Sequence, residues 1–228
     1  MFLHEGLGSV AMWKDFPQQC ASAVGCRALV YSRYGYGKSD PLTAPRAVDY
    51  LHQEALRVLP ELLDKLGIVR PILFGHSDGA SIALIYAGGA KRSVRGVIVM
   101  APHTMVESVA LPGLERIRQA YKTTDLRERL ARYHADPDSA FRGWNDIWLS
   151  PEFRNWNIEQ YLPGIACPVL AIQGEDDHYG TMVHIEQIQK AMPSTEVVQL
   201  PHCGHSPHRD QPQQVIERVA QFVARLEQ

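Results

Sequence analysis

The residues best suited to chemistry form the sequence Gly75-His76-Ser77-Asp78-Gly79, which has the pattern G-x-S-x-G. An apolar run, residues 72–74, directly precedes it, and a run with helical character, residues 80–87, directly follows it. A serine on a sharp turn between a strand and a helix is exposed above the sheet, and small flanking residues are needed because side chains there would collide with both elements. The pattern and its context predict that Ser77 is a nucleophile.

A serine hydroxyl needs a base within hydrogen-bond reach and a third group that orients the base. Gly174-Glu175-Asp176-Asp177 follows an apolar run at 169–172, and Cys203-Gly204-His205 follows another at 197–198. Because doubly wound folds keep their sites at the carboxyl edge of the sheet, we expect His205 and either Asp176 or Asp177 beside Ser77. The order along the chain is serine, acid, histidine.

The elements that position these residues alternate between short apolar runs and longer stretches of helical period. This alternation is typical of a parallel sheet covered by helices on both faces, and runs that are apolar throughout are typical of its central strands. We therefore predict an α/β fold with a mostly parallel central sheet flanked by helices. The predicted strands are residues 29–31, 72–74, 97–100, 169–172 and 197–198.

Two helices are predicted with most detail. Apolar residues recur at helical spacing over residues 48–66, which Gly67 closes and Pro60 should kink. A second apolar stripe over residues 215–226 follows Asp210 and Pro212, and it predicts a C-terminal helix that packs on the sheet.

Residues 103–165 interrupt the alternation, with charged helical stretches and no good strand. We predict a core formed by residues 1–102 and 166–228, with 103–165 inserted as a helical lid. The insertion contains an aromatic group that either packs the lid on the core or lines a substrate pocket, and packing is favoured. Its members are Phe141, Trp144, Trp148, Phe153 and Trp156.

Composition indicates an ordinary globular protein. The chain has 228 residues, of which 45% are hydrophobic and 21% are charged, and 23 basic residues nearly balance 25 acidic ones. This balance argues against disorder and against a basic surface for nucleic acid or anionic lipid, so we expect a small-molecule partner and no membrane. Four cysteines without C-x-x-C spacing, and no signal peptide or apolar membrane span, favour a cytoplasmic protein with reduced thiols.

Other polar patterns have structural interpretations that we favour. His202, His205 and His208 are spaced by three but lie among prolines and a glycine, which argues against a metal site. Gly35 and Gly37 lack the third glycine of a dinucleotide fingerprint. We therefore expect no metal and no organic cofactor. His4, His103 and His178 are candidates to line a pocket, although a lone histidine is more often part of the scaffold.

The serine motif and the order serine, acid, histidine resemble the α/β-hydrolase family over nearly the whole chain except the lid. The family's G-x-x-D pattern implies Asp177 rather than Asp176, and its G-H pair implies His205. By this resemblance, Ser77 would attack an acyl carbon, His205 would take and return the proton, and Asp177 would orient the imidazole and stabilise its cation. Asp176 is the reserve candidate.

The resemblance also implies an oxyanion hole made of backbone amides. One would come from Asp78, and the other from His4-Glu5-Gly6-Leu7-Gly8-Ser9, which resembles the family's His-Gly loop but has Glu5 where glycine is usual. Gly6 or Leu7 would supply that amide. A further segment, 32–39, resembles the family's D-x-R-G-x-G-x-S loop, and we hypothesise that Arg33 pairs with Glu5 to position the oxyanion loop.

Hydrolases of this family usually have two strands before the oxyanion loop, and these first N-terminal strands are expected to be absent here because His4 follows the start so closely. The strand near residues 28–31 would then have an unpaired edge, which favours pairing with another chain. We predict a homodimer or an aggregation-prone monomer. A stable, well-behaved monomer in size-exclusion chromatography would contradict this prediction.

Together, these features predict a serine hydrolase that cleaves a small or medium carboxylic ester, thioester or related acyl bond through an acyl-serine intermediate. Two alternatives stay open. A carbon-carbon bond hydrolase of ring-cleavage products uses the same triad, and a non-catalytic small-molecule receptor of the same fold would bind without turnover.

Overall fold

The computed structural model describes residues 1–226, and its centre is a five-stranded sheet in which all neighbouring strands are parallel. The strands lie in the sheet in chain order, which confirms the predicted fold class. They are β1 (Phe2–Leu3), β2 (Ile72–His76), β3 (Gly96–Met100), β4 (Val169–Gly174) and β5 (Glu196–Leu200).

Helices cover both faces of this sheet. The α-helices are α1 (Phe16–Ala23), α2 (Tyr50–Gln53), α3 (Leu59–Lys65), α4 (Asp78–Gly89), α5 (Ala110–Thr123), α6 (Leu126–Leu130), α7 (Pro137–Leu149), α8 (Val183–Ala191), α9 (Pro207–Asp210) and α10 (Pro212–Arg225). Short 3-10 helices span Val10–Trp13, Pro151–Asn155 and Glu159–Gly164.

The two faces have separate apolar cores. On one face, Phe74, Ile98 and Leu170 pack against residues of α1 and α10. On the other face, Leu73 and Val97 pack in a second core to which α4 contributes most of its residues. Helix α4 is buried over most of its length. Because β2, β3 and β4 contribute to both cores, nearly every side chain in them is apolar, as the sequence predicted.

The helix predicted over 48–66 is interrupted. It forms α2 and α3 with a π-helical turn, Glu54–Val58, between them. Pro60 has no N–H to donate, and its ring crowds the preceding turn. The predicted kink therefore occurs as a widened, π-helical turn just before Pro60.

The prediction of a strand at residues 29–31 was wrong, because no regular strand forms there. Only Val30 pairs there, in a single parallel bridge with Phe2, supported by the Phe2 amide, which donates to the carbonyl of Leu29 at 2.8 Å. In its place, Phe2–Leu3 forms β1, which is too short to show a period in the sequence.

Residues 103–165 lie between β3 and β4 and contain α5, α6, α7 and two of the 3-10 helices. Of the aromatic group predicted in this segment, Phe141, Trp148, Phe153 and Trp156 are buried. Among residues 1–226, no helix is long and apolar enough to cross a bilayer.

Candidate active site

Ser77 lies on the turn between the end of β2 and the start of α4. Its backbone has φ 53° and ψ −116°, a strained conformation for a residue other than glycine. The turn is possible because a Cβ on Gly75 would lie 2.3 Å from the Gly79 carbonyl oxygen, and one on Gly79 would lie 2.0 Å from the Leu3 carbonyl oxygen. The flanking glycines therefore allow the close approach that the sequence motif implied.

His205 and Asp177 complete a hydrogen-bonded chain with this serine. The Oγ of Ser77 lies 3.0 Å from Nε2 of His205, and Nδ1 of His205 lies 2.8 Å from Oδ2 of Asp177. Since a carboxylate can only accept, Nδ1 of His205 donates to Asp177, and in a neutral ring Nε2 is then the acceptor nitrogen that faces the serine. This tautomer is the one that can take a proton from Ser77.

Asp177 is the carboxylate that contacts His205, whereas the neighbouring Asp176 is exposed. The carboxylate of Asp177 also accepts hydrogen bonds from the side-chain amide of Gln173 at 2.8 Å and from the Tyr179 amide at 2.8 Å. Burial raises its pKa, but the hydrogen bond and charge of His205, together with the Tyr179 amide, outweigh burial and lower the pKa to about 2. Asp177 is therefore ionised throughout the neutral range.

These residues meet because the ends of three strands meet. Ser77 follows β2, Asp177 follows β4 and His205 follows β5, all at the carboxyl edge of the parallel sheet. The loop that carries His205 packs tightly against the end of β4, where a Cβ on Gly174 would lie 2.3 Å from the Cys203 carbonyl oxygen. The glycine that opens the sequence Gly-Glu-Asp-Asp thus brings the base and the acid into contact.

A cavity of about 140 Å³ opens beside Ser77 and His205. Its wall is mostly apolar. It is formed by the loop of residues 4–9, by the helical segment 103–165 and by the loop after β4. Beyond the serine and histidine, the lining residues are Glu5, Gly6, Leu7, His103, Ala110, Leu114, Ile117, Trp144, Trp148 and Tyr179. The arrangement can activate the Ser77 hydroxyl next to a small apolar binding site.

Comparison with known proteins identifies the family of this chain. Residues 1–218 match the model of the alpha/beta hydrolase family. The chain belongs to this family. Mouse sn-1-specific diacylglycerol lipase ABHD11 is 24% identical over 98% of this chain and 80% of its own length, and the 2-hydroxy-6-oxo-6-phenylhexa-2,4-dienoate hydrolase of Burkholderia cepacia is 24% identical over 90% of this chain and 80% of its own.

Solved structures have the same fold as this α/β hydrolase. One, from work on carboxylesterases of the thaumarchaeon Nitrososphaera gargenis, superposes with a TM-score of 0.81 at 20% identity, covering 99% of this chain and 89% of that one. The esterase RhEst1 of Rhodococcus superposes with a TM-score of 0.73 at 20% identity, covering 99% and 90%. The relatives are hydrolases of several kinds, and this chain is a hydrolase of their family.

In this α/β hydrolase, the amides proposed for the oxyanion hole are close to the serine. Asp78 is the first residue of α4, so its amide has no acceptor inside the helix. Gly6 and Leu7 line the same cavity as Ser77. His4 shapes their loop from below, because its Nε2 accepts from the Arg33 amide at 3.0 Å and its Nδ1 donates to the Glu5 carbonyl at 2.7 Å.

Arg33 does not pair with the side chain of Glu5, and that hypothesis was wrong. The guanidinium donates to the backbone carbonyl of Glu5 at 2.9 Å, and its charge faces the carboxylate of Asp78 at 3.6 Å. The carboxylate of Glu5 instead lies 3.3 Å from Arg209 and 3.6 Å from Nδ1 of His76. Arg33 therefore holds the loop of residues 4–9 through the backbone carbonyls of His4 and Glu5 and not through the Glu5 side chain.

The Asp78 carboxylate is a structural centre that the sequence did not reveal. It is fully buried and accepts hydrogen bonds from the Tyr50 hydroxyl at 2.7 Å and from Nε1 of Trp148 at 3.2 Å. The turn after Ser77 is thereby tied to α2 and to α7. Nothing in the sequence marks Tyr50 or Trp148 as a partner of Asp78, because both are distant from it along the chain.

Arg33→Met should lower the free energy of unfolding by about 3–5 kcal/mol, because it leaves a buried carboxylate without its cation. The side chain of Arg33 is 1% exposed, and that of Asp78 is 0% exposed. Urea denaturation measures the change. Arg209→Met is the control, since Arg209 is 41% exposed at its ion pair with Glu5 and should cost about 1 kcal/mol or less. Equal losses in the two variants would contradict the assignment.

The remaining histidines named from the sequence lie in different places. His103 lines the cavity, His4 is buried beneath the oxyanion loop, and His178 is exposed outside the cavity. His202 is exposed, whereas His208 is buried against Trp13 and Phe16. Within residues 1–226, no group of three histidine, cysteine or acidic side chains has an arrangement that could hold a metal ion.

Residues 32–39 form hydrogen bonds within their own loop and with His134. The Gly37 amide donates to Nδ1 of His134 at 2.9 Å, and the Ser39 hydroxyl donates to the Ser32 carbonyl at 2.7 Å. The loop thus joins the segment after Val30 to the helical segment 103–165 through the Gly37–His134 hydrogen bond.

Proposed function

We propose that this protein is a serine esterase that cleaves a small or medium carboxylic ester, thioester or related acyl bond through an acyl-serine intermediate. The observation that carries the proposal is the hydrogen-bonded chain from Ser77 through His205 to Asp177, at the mouth of an apolar cavity. In the proposed reaction, Ser77 attacks the acyl carbon while Nε2 of His205 takes its proton. The amides of Asp78 and of Gly6 or Leu7 stabilise the oxyanion.

The intermediate then collapses. His205 returns the proton to the leaving group, and an acyl chain stays bound to Ser77. Water, deprotonated by the same imidazole, attacks the acyl-serine and releases the acid. Asp177 remains ionised and stabilises the imidazolium in both half-reactions, which agrees with its lowered pKa.

We also propose that residues 103–165 act as the lid of this site. Leu114 and Ile117 of α5 and Trp144 and Trp148 of α7 form much of the cavity wall. Trp144 lies directly over the oxyanion loop, since a Cβ on Gly6 would lie 2.2 Å from its Cδ1. Acyl selectivity therefore depends on this segment.

The experiment that tests the function is a series of p-nitrophenyl esters from acetate to decanoate. The cavity measures about 140 Å³. Because an apolar cavity of about 150 Å³ accepts a benzene molecule, we expect the highest kcat/KM for chains of about four to six carbons. Trp144→Ala should move the optimum to longer chains. A best rate with decanoate in the unaltered protein, or an optimum that Trp144→Ala leaves in place, would contradict the assignment of the cavity.

Covalent labelling tests the intermediate independently. A fluorophosphonate should modify Ser77 alone, as read by mass spectrometry of the peptide that contains it. Labelling elsewhere, or none in the folded protein, would argue for a receptor without turnover.

A carbon-carbon hydrolase is the second candidate, favoured by the similarity to the Burkholderia cepacia dienoate hydrolase. The same triad would serve that reaction. Hydrolysis of 2-hydroxy-6-oxo-6-phenylhexa-2,4-dienoate with a higher kcat/KM than any ester of the series would favour this second function.

A further inference from the structure

His103 is a polar side chain in the cavity wall that the proposed mechanism does not use. Ser77 and His205 bond to each other, and the Glu5 carboxylate lies against Arg209 and His76. Tyr179 and Trp144 are partly exposed, whereas His103 is buried. It lines the same cavity, yet neither of its ring nitrogens makes a hydrogen bond within the part of the chain that the structure describes.

The backbone fixes the position of this ring. His103 follows the end of β3, and its carbonyl accepts a hydrogen bond from the Ser81 hydroxyl of α4 at 2.6 Å. The ring centroid lies 5.0 Å from that of Trp148, 5.2 Å from that of His184 and 5.6 Å from that of His205. The side chain is thus packed from several sides and has little freedom to turn towards a new partner.

The neighbouring histidine does not satisfy His103. Nδ1 of His184 lies 2.9 Å from the Thr104 hydroxyl, and its Nε2 lies 2.8 Å from the Glu107 carboxylate. Nδ1 of His184 is therefore engaged by Thr104, and its Nε2 faces Glu107 rather than His103. His103 is 4% exposed and faces the cavity, so once an acyl chain fills the cavity little water can reach its ring nitrogens, and buried polar groups without partners are rare in proteins.

The ring of His103 is uncharged. Burial, and then the positive potential of His184 and His205, lower its pKa well below the ordinary range. A neutral imidazole has one N–H donor and one acceptor nitrogen. No lysine or arginine lines the cavity among residues 1–226, so a negatively charged group there would lose its hydration without gaining a cation.

We propose that His103 is a specificity-determining residue that hydrogen-bonds an uncharged oxygen, a hydroxyl or a carbonyl, on the acyl chain that occupies the cavity. The inference rests on the proposed esterase function and narrows its substrates to hydroxy-acyl or oxo-acyl compounds. A substrate with this oxygen satisfies His103, whereas a plain alkanoyl chain leaves the buried imidazole unpaired. A site built to bond a polar group discriminates against the analogue that lacks it.

The test compares methyl butyrate with methyl 3-hydroxybutyrate and methyl 3-oxobutyrate, with kcat/KM measured by proton release. The unaltered protein should prefer the oxygenated esters about tenfold. His103→Phe should abolish this preference, so that the ratio of kcat/KM between the oxygenated esters and methyl butyrate falls to about one, and His103→Gln, which keeps a donor and an acceptor, should retain it. His178→Phe, an exposed position outside the cavity, is the matched control and should keep the full preference.

A binding measurement separates this inference from the esterase proposal. Calorimetry with Ser77→Ala should show about tenfold tighter binding of 3-hydroxybutyramide than of butyramide, and the difference should vanish in the Ser77→Ala, His103→Phe double variant. Equal binding of the two amides, or a preference that survives His103→Phe, would overturn the inference. A preference that depends on His103 in a protein that hydrolyses no ester would overturn the esterase function and leave the contact established.

Discussion

Ser77→Ala should lower kcat for p-nitrophenyl butyrate about 10⁶-fold, to the residual rate that binding and the oxyanion amides supply. The loss is large because Ser77 provides the only oxygen within reach of Nε2 of His205 among the contacts of residues 1–226, at 3.0 Å. No other side chain in the cavity wall is positioned to form the acyl intermediate. Initial rates at saturating ester, with protein purified from a host that lacks competing esterases, measure the effect.

Stability should change little in this variant. Ser77 is 6% exposed, and the substitution removes one oxygen without altering the backbone. Ser93→Ala, at an exposed position far from the cavity lining, is the control and should keep full activity. A loss of less than about tenfold in a correctly folded Ser77→Ala protein would refute the nucleophile assignment, because it would mean that hydrolysis does not pass through this hydroxyl.

The sequence predicted the elements whose local signals are strong. β2, β3 and β4 were found as short apolar runs, because strands buried on both faces leave few polar positions, and the edge strand β5 was found from its Val197-Val198 pair. The turn at Ser77 was also predicted from a local signal. Gly75 and Gly79 are needed there because the backbone approaches them too closely for a side chain. Local sequence and local sterics agree at these positions.

The contacts that the sequence did not predict join residues that are distant along the chain. Trp148 and Asp78 are separated by 70 residues, and Tyr50 and Asp78 by 28, yet the three side chains share one buried hydrogen-bond network. The error over Arg33 has the same origin. A sequence shows that Arg33 and Glu5 carry opposite charges, but only the fold shows that Asp78 lies nearer to the guanidinium.

His103 shows a different limit of sequence interpretation. Among ten histidines, its position after β3 was recognisable, but its lack of partners was not, because an unpaired nitrogen is defined by all of the residues around it. A lone histidine in a sequence is most often a scaffold residue. The environment of His103, buried in the wall of an apolar cavity beside the proposed base, points instead to a substrate contact.

Asp177→Asn should lower kcat for the same ester about 10⁴-fold, while the protein remains folded. An asparagine fits the position, but its amide can donate to Nδ1 of His205, which favours the tautomer with the proton on Nε2, facing Ser77. The imidazole would then be unable to accept the serine proton. Because the pKa of Asp177 is lowered to about 2, the aspartate is ionised at every pH used for ester assays, so the defect should persist across the neutral range.

Asp176→Asn is the matched control for this prediction, since it makes the same chemical change one residue away. Asp176 is exposed, and the hydrogen bond made by its amide to the Cys203 carbonyl at 2.9 Å does not involve its side chain. It should therefore keep nearly full activity. A larger loss for Asp176→Asn than for Asp177→Asn would reverse the choice of acid, and equal losses would show that the charge of the loop matters more than the hydrogen bond to His205. A selective loss for Asp177→Asn would mean that the 2.8 Å contact with Nδ1 sets the tautomer on which proton transfer depends.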